Sequence, residues 1–158
     1  MRTLLVTAFV LSAASGVFPA DEIKIDIAAA EKKVLELTNA ERAKEGLKAL
    51  TWNPVLAKVA RAHAQNMAKQ QKEVHILDGK NPYDRIKAAG YDYRRAGENV
   101  GSMTPDFELP DLMKAWMDSK GHRANILQGE YEEAGIGAAV GENGRIYFAQ
   151  EFGKPKKK

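Results

Sequence analysis

A chain of 158 residues, 44% apolar and 28% charged, is sized for one domain around one core and lies far from disordered or membrane compositions. It has no cysteine, which excludes disulfide staples, thiol nucleophiles and thiolate metal sites. The formal charge of +3 sits at the two ends, in Arg2 and in Lys154, Lys156, Lys157 and Lys158, and the body between them is slightly acidic.

Residues 1–20 open with Met1-Arg2-Thr3, continue with an apolar run from Leu4 to Leu11 and leave through small residues, the pattern of a secretory signal peptide. The apolar run is shorter than the roughly 20 residues of a membrane span. Cleavage is expected after Ala20, with Gly16 as the alternative. No later segment is apolar enough to cross a membrane, so no transmembrane segment is expected once the leader is removed.

From Ile27 to Lys44 apolar residues recur at helical spacing, and Gly46 stands where a helix would end. Asn53-Pro54 places a cap and a first-turn proline before a second helix reaching about Ala68, with His63 on its inner stripe as a packed, hydrogen-bonded core histidine. Asn81-Pro82 repeats the signal for a short helix closed by Gly90. A loop is expected from Tyr91 through Gly101, followed by a helix from Leu109 or Asp111 to Asp118 that Gly121 breaks. Ala134–Val140 and Arg145–Phe152 then alternate as strands around Gly141-Glu142-Asn143-Gly144, where Asn-Gly marks a hairpin turn with both residues at positive φ. Helices first and antiparallel strands later argue for an α+β layered domain.

Eight strings in order carry a family resemblance, among them Leu37-Thr38-Asn39-Ala40-Glu41-Arg42, Leu50-Thr51-Trp52-Asn53-Pro54, Gly97-Glu98-Asn99-Val100, Gly121-His122-Arg123-Ala124-Asn125 and Phe148-Ala149-Gln150-Glu151-Phe152-Gly153. The chain resembles the CAP superfamily of cysteine-rich secretory proteins, antigen 5 and pathogenesis-related proteins, in its bacterial SCP-like extracellular branch. The resemblance implies a CAP-type three-layer α-β-α sandwich with a central antiparallel sheet over residues 27–153, with residues 154–158 as a basic tail. It also implies a cleft that takes a divalent metal such as zinc in some members. By motif the metal-site positions fall on His75, Glu98 and His122. Many members carry a glutamate after the tryptophan of the late helix. Here that stretch reads Trp116-Met117-Asp118-Ser119-Lys120, which leaves Asp118 as the nearest acid and a candidate ligand-binding residue. Tyr91 and Tyr93 are candidates at the cleft rim.

On chemistry alone, two neutral imidazoles and a carboxylate suit a zinc-like ion with a position left for water, although their separation in the chain fits no helical metal motif. The competing arrangement is a metal-free trio in which Glu98 orients one imidazole. Neither Ser102 nor Ser119 sits in a Gly-x-Ser-x-Gly elbow. The expectation is a secreted, non-enzymatic binding module whose partner is an extracellular ligand or a cell-envelope component, not nucleic acid. The alternatives are a metal-dependent extracellular hydrolase and a wall- or membrane-surface protein held by its lysine tail.

Overall fold

The computed structural model describes residues 25–156, so the expected leader and the last two lysines lie outside the described residues. Helix α1 (Ile27–Lys44) begins at Asp26, whose carboxylate accepts from the Ala29 N–H at 3.0 Å. A two-residue strand β1 (Thr51–Trp52) precedes α2 (Pro54–Gln70), where the Asn53 side chain accepts from the Val55 and Leu56 N–H groups. The reciprocal bonds of Asn81 and Asp84 start α3 (Pro82–Ala88). These caps satisfy first-turn N–H groups that no helix can satisfy for itself, which is why local sequence places the starts so closely.

The remaining elements are β2 (Tyr93–Met103), α4 (Leu109–Asp118), α5 (Lys120–Ile126), β3 (Glu133–Val140) and β4 (Ile146–Pro155). The sheet order is β1-β3-β4-β2; the three long strands are antiparallel and β1 adds to β3 in parallel. Alternate residues of β4 divide the core. Ile146, Phe148 and Phe152 pack with Val34 of α1 and with Leu112 and Trp116 of α4, while Tyr147 and Ala149 pack with Ala60, Met67 and Ala68 of α2. The result is the α-β-α sandwich. No helix among the described residues is long and apolar enough to cross a membrane.

Four details differ from the sequence expectation. Residues from Tyr93 onward form a strand instead of a loop, because β4 supplies a full antiparallel partner from Arg95↔Lys154 to Met103↔Ile146. Strand pairing overrides the weak intrinsic preference of a stretch that carries Gly97, Glu98, Asn99 and Gly101. The late helix ends at extended Ser119 (ψ 122°), and Gly121 lies inside a new helix, α5. In the hairpin only Gly144 has positive φ, at 75°; Asn143 instead accepts from the Arg145 N–H at 3.2 Å. Finally β4 runs to Pro155, past the expected end of the domain. Lys154 lies 3.6 Å from Glu130, and Lys156 lies 3.3 Å from Asp92, so the start of the basic tail is paired at the surface.

Strand β2 lies at the edge of the sheet, where unpaired carbonyls invite association with other chains. From Glu98 to Ser102 every second carbonyl is bonded by a side chain: Glu98 by Asn125 Nδ2 at 3.0 Å, Val100 by Trp116 Nε1 at 2.9 Å, and Ser102 by Arg145 Nη2 at 3.3 Å. Trp116→Phe keeps most of the buried ring but leaves the Val100 carbonyl without its indole donor. The expected loss is about 1–3 kcal/mol in urea unfolding. An unchanged midpoint would show that the indole N–H has no part in holding this edge.

Candidate functional site

The cleft forms where β2 meets the segment between α2 and α3 on one side and α5 on the other. His75 lies in that segment, which is pinned from several directions. His63 Nε2 donates to the Val74 carbonyl at 2.9 Å, and Arg85 Nη1 reaches the carbonyls of His75 and Lys80 at 3.0 Å each. Asn66 and Gln70 of α2 donate to Asp78, which turns the chain at φ 51°. The backbone carrying His75 is thus set by α2 and α3 before its side chain makes any contact.

Glu98 projects from β2 toward α2 and α3, on the same side of the sheet as Val100, and its side chain is 1% exposed. His75 Nδ1 lies 2.8 Å from Glu98 Oε1, and Arg85 Nη2 donates to Oε2 at 2.5 Å. A carboxylate can only accept, so His75 carries a proton on Nδ1, and Nε2 is the ring nitrogen left outside this bond. Burial by itself would raise the Glu98 pKa. The hydrogen bond from His75 and the charge of Arg85 are among the effects that outweigh it, and the carboxyl is held below its ordinary range.

His122 approaches from α5. Its backbone carbonyl accepts from Asn99 Nδ2 at 3.2 Å, and Trp116 meets its ring edge-on with centroids 6.3 Å apart. Asn99 is itself bonded to Gln150 and Asn125, so a buried polar chain through the sheet locates the helix turn that holds His122. The rings of His75 and His122 face each other with centroids 6.4 Å apart at 57°. Burial first, and then the neighbouring His75, lowers the His122 pKa and favours its neutral form.

The structure therefore brings His75 and Glu98 into contact and sets His122 opposite them, but it changes the part expected of Glu98. Both of its oxygens already accept from protein donors, and the group is sealed from solvent. Among the described residues no three His, Asp or Glu side chains are arranged to hold a metal ion. The side chains that could offer nitrogen ligands to a cation here are the two imidazoles, with Glu98 bonded to His75 from behind. Two nitrogens are fewer than the three or four protein ligands of most zinc sites, so water or a bound molecule would complete the shell.

The three ligand-binding candidates stand elsewhere. Asp118 is 66% exposed at the end of α4 and paired with Lys114 at 2.5 Å one turn away. Tyr91 is buried against Leu56, Val59 and Ile86, and its hydroxyl donates to Glu133 at 2.6 Å. Tyr93 stacks on Tyr91 with centroids 6.5 Å apart. An aromatic cluster at the start of β2 packs α2 and α3 against the sheet because these rings bury more area there than a rim would allow.

Two neighbours of Glu98 escaped the reading of the sequence, and the place of a third beside it was not foreseen. His63 is the packed, hydrogen-bonded core histidine expected, and its Nε2 also lies 3.7 Å from Glu98. Arg85 carries the charge that opposes Glu98, and Glu151 stands directly across from Glu98 on β4. Glu151 alone had a signal: an acid at an inward position of an otherwise apolar strand. A cavity of about 530 Å³ between α2 and α3 is lined by His63 and Arg85 together with Lys58, Asn66 and Lys80, and by neither His75 nor His122.

A family model described as the cysteine-rich secretory protein family, CAP, matches residues 35–152. The uncharacterized protein YkwD of Bacillus subtilis is 42% identical over 135 residues, which cover 81% of this chain and 49% of that protein. The chain thus spans about half the length of this relative. An outer surface protein of Borrelia burgdorferi superposes with a TM-score of 0.76 at 24% identity, covering 84% of this chain and 97% of that one. An extracellular SCP-domain protein of Bacillus anthracis superposes at 0.72 with 24% identity, over 85% of this chain and 43% of that one.

Proposed function

Because the chain belongs to the cysteine-rich secretory protein (CAP) family, we propose that it acts outside the cytoplasm as a non-enzymatic binding module whose His75–His122 gap takes a divalent cation. The observation that carries this reading is the bond between His75 Nδ1 and Glu98. Glu98 accepts from Nδ1 and leaves Nε2 available, while His122, held toward its neutral form, faces it across the gap. A bound cation would act there as a Lewis acid toward a carboxylate or hydroxyl of an external molecule.

Several features support binding over catalysis. Glu98 is committed to His75 and Arg85 and has no oxygen left to serve as a general base. Ser102 donates to Glu73 at 2.6 Å and accepts from Arg145, so its contacts include no histidine that would activate it. Export is supported by the leader-like residues 1–20 and by the extracellular character of the Bacillus anthracis neighbour.

Zinc titration by calorimetry tests the proposal. Wild type is expected to bind one equivalent, and His75→Ala or His122→Ala to lose at least tenfold in affinity, about 1.4 kcal/mol. Asp118→Ala is expected to match wild type. Uptake should weaken as acid protonates the imidazoles, since only the neutral ring ligates. Absence of zinc binding by wild type, or equal binding by the double histidine variant, would overturn the reading.

A further inference from the structure

Glu151 is fully buried on β4, in register with Glu98 on β2, and both side chains lie on the face covered by α2 and α3. Glu98 collects the His75 and Arg85 donors, whereas neither oxygen of Glu151 meets an N–H or O–H from any other group among the described residues. Its cross-strand neighbour on that face is the other carboxyl, Glu98. Two ionised carboxylates are acceptors only and repel, so a buried pair of them side by side calls for a proton in the gap. The charged and titratable groups around the pair are Arg85 from α3, His63 from α2 and His75 from the connecting segment. Burial lowers the His63 pKa and favours its neutral form, and one guanidinium cannot balance two buried negative charges.

We infer that Glu151 is a neutral carboxylic acid that donates its proton to Glu98, and that it is the positioning residue which holds Glu98 in the orientation that aligns His75. The proton belongs to Glu151 because Glu98 already has donors that stabilise its anion and Glu151 has none. Glu151 acts through Glu98, and among the described residues its oxygens make no hydrogen bond to either imidazole of the cleft. Burial first, and then the adjacent Glu98, pushes Glu151 well above the ordinary carboxylate range, in keeping with this assignment. The inference rests on the proposed cleft only for what His75 does afterwards; the protonation itself depends on no metal.

Infrared spectroscopy of the metal-free protein in D2O at neutral pH tests the proton, because the C=O stretch of a protonated carboxyl is separate from that of carboxylates. Wild type should show one such band and Glu151→Gln should lose it. The glutamine N–H replaces the donor, so Glu151→Gln should keep the His75 Nδ1–H tautomer read from ring ¹⁵N shifts. Glu151→Leu removes the donor, and the Nδ1–H form should fall from the dominant tautomer to a mixture. A wild type without the band, or a band that survives in Glu151→Gln, overturns the protonation. If Glu151→Leu folds with an unchanged His75 pattern, the positioning role is overturned. If it does not fold, the role is decided by Glu151→Gln, which must retain the wild-type tautomer. A failed zinc titration would alter none of these signals, so the two readings fail separately.

Discussion

Arg85→Met is expected to lower the unfolding free energy by about 3–5 kcal/mol, read from the urea midpoint. The guanidinium is 12% exposed and, among the described residues, supplies the one permanent positive charge in contact with Glu98, whose carboxylate would otherwise be buried opposite a second carboxyl. Methionine fills similar space but cannot donate, and it also releases the carbonyls of His75 and Lys80. The loss should therefore be accompanied by faster proteolysis between α2 and α3.

The pH dependence separates the charge from the tether. The Glu98 pKa is lowered in the fold, so its contribution is present above the ordinary carboxylate pKa and disappears as pH falls through the lowered value. Without Arg85 its folded pKa rises, a proton is taken up earlier on acidification, and the deficit of Arg85→Met should shrink toward pH 4. A deficit that is constant from pH 7 to pH 4 would mean that the carbonyl bonds, not the charge, account for the loss. Glu151 works in the opposite sense. Its raised pKa contributes stability that is full below the ordinary carboxylate pKa and is lost as pH rises through the folded value.

Gly137→Ala is the second large effect, with an expected loss of about 3 kcal/mol or more, at the upper end of overpacking. A Cβ at Gly137 would stand 2.1 Å from the Arg61 backbone nitrogen, and one at Gly135 2.0 Å from that of Ala57. Both obstacles are backbone atoms of α2, which cannot rotate aside as a side chain would. The helix would have to lift from β3 and open the contacts of Ala60 and Met67. Gly121→Ala is the control: its Cβ meets nothing within 4 Å and it lies in α5, where alanine favours the helix by about 0.5–1 kcal/mol. A Gly137→Ala variant as stable as this control would show that α2 does not need the bare strand backbone beneath it.

The same contrast between local and distant causes explains how much could be read in the chain itself. Asn53-Pro54 and Asn81-Pro82 mark helix starts because the bonds they make span two or three residues. Asn143-Gly144 places the hairpin for the same reason. The recurring family strings are sufficient to identify the fold, and they single out His75, Glu98 and His122. In β2, however, the decisive partner is β4, some fifty residues later, and a stretch carrying Gly97, Glu98, Asn99 and Gly101 has little strand preference of its own.

By itself, then, the sequence determined the caps, the helix faces, the hairpin and the family, because each depends on short-range spacing or on an ordered set of motifs. Only the tertiary structure decided that Glu98 is buried against His75 and Arg85, that Tyr91 packs against α2 and α3, and that Arg85, His63 and Glu151 share one buried cluster. The reason is electrostatic and geometric: the role of a carboxylate is set by which donors and charges surround it once water is removed. Those groups arrive from α2, α3, β4 and the segment bearing His75, with no periodicity in the chain to connect them.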